Sequence, residues 1–116
     1  MGDCVFCRIA SGEIPAPFVY QDEHVVVFKD LHPVAPVHLL IVPRIHVEDI
    51  IDLAGRADGE AILGAVLRAV PAVAEAAGVA KDGFRLINNC GADGGQTIRH
   101  VHFHLIGGRK LGERLL

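Results

Sequence analysis

Apolar and polar residues alternate along several short segments near both ends of the chain. In a strand, successive side chains point to opposite faces of the sheet, so this alternation predicts strands with one face toward a core. The predicted strands are 18–21, 24–29, 37–42, 84–89 and 98–106. In the third of these, His38, Leu40 and Val42 are expected on one face, and Val37, Leu39 and Ile41 on the other.

The middle of the chain has a helical pattern instead. Ile62, Val66, Val70 and Val73 follow a spacing close to 3.6 residues and predict one main helix. This helix is expected to begin near residues 58–60 and to end at Gly78, with a short helix over 47–53 before it. Strands at both ends with the main helix between them predict an α+β fold rather than alternating βαβ units.

The last predicted strand contains three histidines, His100, His102 and His104, each two residues apart. A strand places all three imidazoles on one face, while Val101, Phe103 and Leu105 face the core. The glycine-rich loop before them, residues 90–97, allows backbone N–H groups to approach a ligand closely. Because grouped polar rings are costly to bury without partners, this pattern favours a binding or catalytic site over ordinary strand histidines.

Composition restricts the class of protein. The 116 residues suffice for one compact domain, and the 51% apolar content supports a real core. No apolar run approaches the ~20 residues of a membrane-spanning helix. The net charge of −3 argues against a general nucleic-acid-binding protein. The N-terminal segment has no basic region followed by an apolar region, so no signal peptide is expected. Three cysteines in a chain without an export signal predict a reducing compartment, by default the cytoplasm.

The run from His100 to Ile106 resembles the active-site signature of the histidine triad family, in which three histidines alternate with apolar residues. The resemblance extends over nearly the whole chain and is greatest to the histidine-triad nucleotide-binding (Hint) branch. It implies a single domain over residues 1–116, with an antiparallel sheet, one main helix and a short helix, assembled as a homodimer. The chain departs from the best-known Hint proteins at its end, where it contains no tryptophan.

The resemblance also assigns catalytic roles. The family uses the middle histidine of the triad as a nucleophile on phosphorus, and that residue is His102 here. Neutral imidazole is a competent nucleophile near neutral pH, since its ordinary pKa is about 6.5. His100 and His104 are its neighbours, expected to share a small ligand such as a phosphate with it. His38, after Ala35-Pro36-Val37, resembles the family's upstream active-site histidine.

A purine nucleotide is the implied ligand. Asp30 resembles the carboxylate that accepts hydrogen bonds from the ribose hydroxyls. His102 and His104 would contact the phosphate together with loop residues that resemble the family's phosphate-binding set: Asn89, Gly95, Gln96 and Thr97. The apolar positions that match the base-binding residues, although such residues often belong simply to the core, are Val5, Phe6, Ile9, Phe28 and Leu31.

A structural zinc ion is the expected cofactor. Cys4 and Cys7 have the spacing at which two thiolates bind one tetrahedral ion. Some histidine triad proteins complete such a set with two histidines, which here are His46 and His100. The alternative is that both cysteines are reduced and buried without a metal.

The resemblance implies hydrolysis of purine nucleoside 5′-phosphoramidates or aminoacyl nucleotides through a nucleotidyl-histidine intermediate. A dinucleoside polyphosphate hydrolase is the second enzymatic interpretation. A nucleotide-binding regulatory module with residual hydrolysis is a third, and a metal hydrolase with zinc bound by His-x-His is a fourth. The intact triad disfavours the regulatory module, and the glycine-rich loop, which suits a phosphate better than an ion, disfavours the metal hydrolase.

Overall fold

The computed structural model describes residues 3–116, so the first two residues of the segment examined for a signal peptide lie outside it. One five-stranded antiparallel sheet has the order β1-β2-β3-β5-β4. The strands are β1 (Tyr20–Gln21), β2 (Val25–Lys29), β3 (Val37–Pro43), β4 (Phe84–Asn88) and β5 (Phe103–Gly107). The helices are α1 (Val5–Ala10), α2 (Ile50–Ala54) and α3 (Gly59–Ala76). The predicted α+β class is confirmed, and none of the described helices is suited to crossing a bilayer.

The sheet is buried on both faces. Val25 and Val27 of β2, with Leu39 and Ile41 of β3, pack in the cluster formed with α3. The intervening side chains form a second cluster on the opposite face, against α1: Val26, Phe28, Leu40 and Val42. Two covered faces explain why β2 and β3 are almost continuously apolar. Each fully buried aliphatic side chain contributes about 1.5–3 kcal/mol to the free energy of unfolding.

The main helix follows the predicted pattern. Ile62, Val66 and Val73 are buried against the sheet, and Val70 packs at the margin of the same cluster. The helix ends at Ala76, and Gly78 follows with a φ of 75°, a left-handed conformation that favours glycine at a helix end. The amphipathic spacing in the sequence therefore identified both the element and the face that it buries.

Two boundaries differ from the sequence prediction. The short helix begins at Ile50 rather than at residue 47, because the Asp49 side chain caps it by accepting the N–H of Asp52 at 2.8 Å. The last strand begins at Phe103 rather than at residue 98. Before it, Val101 donates its N–H to the Val47 carbonyl at 2.7 Å, outside the sheet, so the segment is ordered without a ladder. The predicted alternation nevertheless holds, since the side chains on its apolar face all lie in the α3 cluster: Val101, Phe103 and Leu105.

Candidate active site

The register of β3 and β5 brings two histidines together. Leu40 is paired with His104, and His38 lies two residues before Leu40 on the same face of the sheet. As a result, His38 Nε2 lies 2.9 Å from His104 Nδ1. His102 precedes the strand, with its ring centroid 5.2 Å from that of His104. Three of the four predicted catalytic histidines therefore form one group.

The proton on His38 is fixed by a backbone contact. The N–H of Val34 donates to His38 Nδ1 at 3.2 Å, so this nitrogen is an acceptor. Neutral His38 must then carry its proton on Nε2 and donate it to His104 Nδ1. His104 in turn carries its own proton on Nε2. Val34 thus donates to His38, and His38 donates to His104; we call this pair of hydrogen bonds the His38–His104 relay.

His102 has the opposite arrangement. Its Nδ1 lies 2.7 Å from the carbonyl oxygen of His100, which can only accept, so Nδ1 carries the proton. The lone pair of neutral His102 is therefore on Nε2. A second bond holds the same residue, because the Asn88 side-chain amide donates to the His102 carbonyl at 2.9 Å. The imidazole is thus oriented as a nucleophile that attacks through Nε2.

Burial keeps these rings neutral. Loss of solvation lowers the pKa of His102, although its bond to the His100 carbonyl and the charge of Asp30 act in the opposite direction. The pKa of His104 falls to about 4, first through burial and then through the neighbouring His102 and His38. Burial therefore favours the neutral form of both imidazoles, and the neutral form is the nucleophilic state of His102.

Asp30 lies beside this group at the end of β2. Its Oδ1 accepts the backbone N–H of His32 at 2.8 Å, and its Oδ2 lies 3.4 Å from His38 Nε2. The first contact fixes the carboxylate, while the second brings its free oxygen to the relay. Asp30 is thus a partly accessible carboxylate acceptor beside His38.

The apolar residues predicted to hold a base fall into two groups. Leu31 is 89% exposed and Val5 37% exposed, so both are available to a ligand. Phe6 and Phe28 lie in the second core cluster, and the partly buried Ile9 packs against it. The Phe6 ring meets His102 edge-on at a centroid distance of 5.0 Å. Phe6 therefore packs against the nucleophile and restricts its ring.

The predicted phosphate-binding loop is ordered by its own side chains. Asn89 donates to the Gly94 carbonyl at 2.7 Å, and Gly95 has a φ of 81°. Gln96 is 8% exposed and Thr97 is exposed. The loop therefore presents Thr97 to solvent, while Asn89 and Gln96 make contacts within the chain.

The side chain of Gln96 does not have the role of hydrogen-bond donor to a phosphate that the sequence predicted. Its Nε2 donates to the carbonyls of Glu48 at 2.7 Å and Ile98 at 3.0 Å, and its Oε1 accepts the N–H of Gly91. Both amide hydrogens are therefore used inside the protein. The expected donation from this amide to a phosphate is wrong for this structure, because Gln96 cross-links the loop instead.

The second difference from the sequence prediction concerns the ring of His100. It is fully buried, and its Nε2–H donates to the Pro43 carbonyl at 2.7 Å. Its Nδ1 faces Cys4 Sγ at 3.3 Å and Cys7 Sγ at 3.5 Å. Both ring nitrogens are occupied, so the expectation that His100 shares a phosphate with the other two histidines is wrong. The hydrogen bond that joins His100 to the catalytic group is the one from His102 Nδ1 to the His100 carbonyl oxygen.

The four predicted metal ligands do meet. His46 Nδ1 lies 3.3 Å from Cys7 Sγ, and the donor atoms of Cys4, Cys7, His46 and His100 all lie within 4.8 Å of one another. Zinc binds sulfur at about 2.3 Å and nitrogen at about 2.0–2.1 Å, which separates S and N in a tetrahedron by about 3.5–3.6 Å. The observed separations of 3.3–3.5 Å are close to this.

The protonation states also fit a cation. Because His100 donates Nε2–H to Pro43, its Nδ1 presents a lone pair to the thiols, with the carbonyl acting as an outer hydrogen-bond partner. Burial and the adjacent Cys4 raise the pKa of Cys7 to about 11, so a cation is needed to stabilise two thiolates here. The residues present are thus a suitable Cys₂His₂ set.

A zinc ion bound by the triad itself is not supported. In the part of the chain that the structure describes, the two groups of potential ligands are the Cys₂His₂ set and a set of Asp30, His38 and His104. Neither contains two histidines of the triad. Among residues 3–116, no group of three or more potential ligands therefore contains the His-x-His pair considered for a metal hydrolase.

Three contributors to the site were missed from the sequence. They are the Val34 N–H, the Pro43 carbonyl and the Asn88 side chain, which orient His38, His100 and His102. The first two are backbone groups, whose partners no residue type reveals. Asn88 precedes the predicted Asn89 in the chain. It ends β4 opposite Phe103, next to His102, and this position in a predicted strand was the feature that could have identified it.

Residues 11–111 match the family model described as the HIT domain. The chain belongs to the HIT family. This HIT domain is 42% identical over 113 residues to a purine nucleoside phosphoramidase of Escherichia coli K12, covering 97% of this chain and 93% of that protein.

Solved structures agree with this assignment. A histidine triad protein from Clostridium difficile superposes with a TM-score of 0.92 at 43% identity, covering 98% of this chain and 97% of that one. A HIT family hydrolase from Legionella pneumophila gives a TM-score of 0.89 at 40% identity, covering 96% and 97%. These relatives support a hydrolase of the HIT family with the HIT-like fold.

Proposed function

We propose that this protein hydrolyses the P–N bond of purine nucleoside 5′-phosphoramidates or aminoacyl nucleotides. The observation that carries the proposal is the state of His102: its Nδ1–H is held by the His100 carbonyl, and its Nε2 lone pair is free beside His104. A fixed, neutral imidazole next to a proton-carrying imidazole suits nucleophilic attack on phosphorus. The similarity to the E. coli phosphoramidase adds support for this substrate class.

The reaction proceeds in two displacements. His102 Nε2 attacks the α-phosphorus, the P–N bond breaks, and the amine leaves with a proton. An anionic phosphoryl group beside His104 raises the pKa of this imidazole and allows it to supply that proton. Water then attacks the nucleotidyl-histidine and gives a proton back to His104, which yields the nucleoside monophosphate and restores His102. The His38 Nε2–H bond orients His104 while His104 is neutral, because the protonated ring has no acceptor nitrogen.

The remaining contacts bind the nucleoside. Asp30 Oδ2 is free to accept from the ribose hydroxyls, since only Oδ1 is used by the backbone of His32. Leu31 and Val5 offer exposed apolar surface to the base. The Thr97 hydroxyl, exposed at the end of the loop, is the available side-chain donor for a phosphate oxygen.

We also propose that Cys4, Cys7, His46 and His100 hold a structural zinc ion. Four protein ligands leave no open position for water, so the ion has no part in the hydrolysis. When bound, it joins α1 to the segment that carries His102. His46 and Cys7 would then be fixed relative to the His100 carbonyl that orients the nucleophile.

A homodimer in the cytoplasm is the proposed form of the protein. β4 is an edge strand of the sheet, and its Leu86 is 38% exposed. Leu86 is paired with Leu105, which faces α3, so apolar surface continues past the helix to the free edge. A second copy of the chain is suited to cover this edge. The three free cysteines are in accord with a reducing compartment.

The decisive experiment compares adenosine 5′-phosphoramidate, diadenosine polyphosphates and AMP. We expect turnover of the phosphoramidate, and His102→Ala should lower kcat by several orders of magnitude, at least about 10³-fold. The exposed His24 supplies the control, and His24→Ala should keep the wild-type rate. Wild-type hydrolysis by His102→Ala would contradict the mechanism. Preferred turnover of diadenosine polyphosphates would favour the second hydrolase, and tight AMP binding without turnover would favour a regulatory module.

A further inference from the structure

Three potential metal ligands meet at the candidate active site, separate from the Cys₂His₂ set. Asp30, His38 and His104 each offer one ligand atom, and these atoms lie within 4.8 Å of one another. Close contacts join His38 Nε2 to His104 Nδ1 and to Asp30 Oδ2. The three residues come from the end of β2, from β3 and from β5, so the order of the central strands places them together. We propose that these three side chains form a second metal site, which binds a late first-row divalent cation such as Zn²⁺.

The distances fit an ion without movement of the strands. His38 Nε2 lies 2.9 Å from His104 Nδ1 and 3.4 Å from Asp30 Oδ2. Donors at about 2.0–2.1 Å from one ion and about 90–109° apart are separated by about 2.8–3.4 Å. The carboxylate is already fixed, because its other oxygen accepts the His32 N–H. An ion can therefore bridge atoms that the fold has brought to coordination distance.

The type of donor decides the class of cation. Two imidazoles and one carboxylate suit Zn²⁺, Co²⁺ or Ni²⁺, whereas Mg²⁺ and Ca²⁺ prefer all-oxygen sets. Three protein ligands leave at least one coordination position for water or a phosphate oxygen, unlike the closed Cys₂His₂ set. The two sites should therefore differ in both spectrum and affinity.

Metal binding at this site excludes the His38–His104 relay. An ion on His38 Nε2 takes the position of the proton, which must move to Nδ1 of the same ring. That nitrogen faces the Val34 N–H, so two donors would meet unless the backbone at Val34 turns away. Val34 is 62% exposed on the loop between β2 and β3, where water can replace the lost bond. The ion and the relay are thus two alternative states of one site.

The consequence for catalysis rests on the proposed function. In the metal-bound state, Asp30 cannot accept the ribose hydroxyls, and His104 Nδ1 no longer receives the proton of His38. The ion should therefore compete with the nucleotide and inhibit hydrolysis. Binding of the ion itself does not depend on any reaction.

A Co²⁺ titration of protein whose thiolate site already holds zinc tests the site. We expect a second ion per chain, with the weak visible bands of nitrogen and oxygen ligation and without thiolate charge-transfer absorption. Asp30→Asn and His104→Gln should each weaken binding of the second ion by at least about tenfold. Mutating a residue that only hydrogen-bonds to a metal ligand already causes a loss of this size. Asp30→Asn keeps the oxygen that accepts from His32. His32→Asn, an exposed histidine in the same loop, is the matched control and should bind as wild type.

The amide resonance of Val34 supplies an independent readout. With Zn²⁺ in place of Co²⁺, it should shift in wild type and stay unchanged in Asp30→Asn. A titration that ends at one ion per chain would overturn the proposal, as would equal loss of binding in His32→Asn and Asp30→Asn. Binding of a second ion by protein that turns over no phosphoramidate even before that ion is added would leave the site standing and remove the proposed function. Turnover with no second ion would do the reverse.

Discussion

The backbone N–H of Val34 lies 3.2 Å from His38 Nδ1, and this contact decides which nitrogen of His38 carries the proton. With Nδ1 as the acceptor, the proton lies on Nε2 and is donated to His104. A residue in a loop, acting through its main chain, therefore sets the direction of hydrogen bonding beside the candidate nucleophile.

Replacing His38 should impair catalysis without abolishing the nucleophile. His38→Phe keeps the ring volume but removes the Nε2–H that orients His104, so kcat/KM on adenosine phosphoramidate should fall by about 10²–10⁴-fold. His38→Gln, whose amide can still donate, should retain more activity than His38→Phe. Steady-state kinetics of the two variants measure this order, and equal rates in wild type and His38→Phe would refute the relay.

The free energy of unfolding should fall as the pH is lowered from about 6.5 to about 4. Burial lowers the pKa of His104 to about 4, whereas in the unfolded chain the pKa returns to its ordinary value of 6.5. Between these values the unfolded state binds more protons than the native state, so stability rises with pH. Urea unfolding with a chelator present should show a shallower slope for His104→Asn. An unchanged slope in this variant would contradict the assigned burial effect.

Zinc should copurify with the protein in a ratio near one ion per chain. The Cys4→Ser, Cys7→Ser double variant should lose it, because two of four ligands are removed. Cys90→Ser is the matched control, since Cys90 is also a free cysteine but lies outside the set. Elemental analysis of protein purified without chelator makes the comparison. Wild-type protein with far less than one equivalent, or equal zinc in the double variant, would exclude this site.

Two glycines of α3 should respond in opposite directions to alanine. A Cβ on Gly59 would lie 2.0 Å from the Leu53 carbonyl oxygen, so Gly59→Ala should destabilise the protein. A Cβ on Gly64 would meet only the end of the flexible Arg68 side chain, at 3.2 Å. Gly64→Ala should therefore raise the free energy of unfolding by up to about 1 kcal/mol through helix propensity. Chemical denaturation of both variants tests this, and stabilisation by Gly59→Ala would show the contact to be wrong.

The proposed homodimer should depend on the free edge at β4. Multi-angle light scattering of the wild type should give twice the chain mass at micromolar concentration. Leu86→Lys places a charge on the exposed apolar edge and should shift the mass toward the monomer. Leu31→Lys, at a more exposed residue away from that strand, should remain dimeric. A monomeric wild type would remove the proposal.

The sequence by itself determined the elements and their faces. The alternation of Val101, Phe103 and Leu105 with the triad places these three side chains in the α3 cluster, as predicted. The spacing of Ile62, Val66 and Val73 did the same for α3. Such patterns depend on the period of a strand or a helix, which is a local property of the backbone. The Cys4-x-x-Cys7 spacing indicated two zinc ligands from the sequence, and the family resemblance selected His46 and His100 from the seven histidines.

Only the tertiary structure decided how the histidines are used. His100 was expected both beside Cys4 and Cys7 and beside the other two triad histidines. The structure places its ring with the two cysteines, because α1 folds back across more than ninety residues of chain. The Gln96 side-chain amide donates to the carbonyls of Glu48 and Ile98 and therefore has no hydrogen left to donate to a ligand. The proton positions depend on backbone groups such as the Val34 N–H. Every residue except proline carries the same N–H and C=O, so sequence cannot reveal their partners, and only the packing of distant segments fixes them.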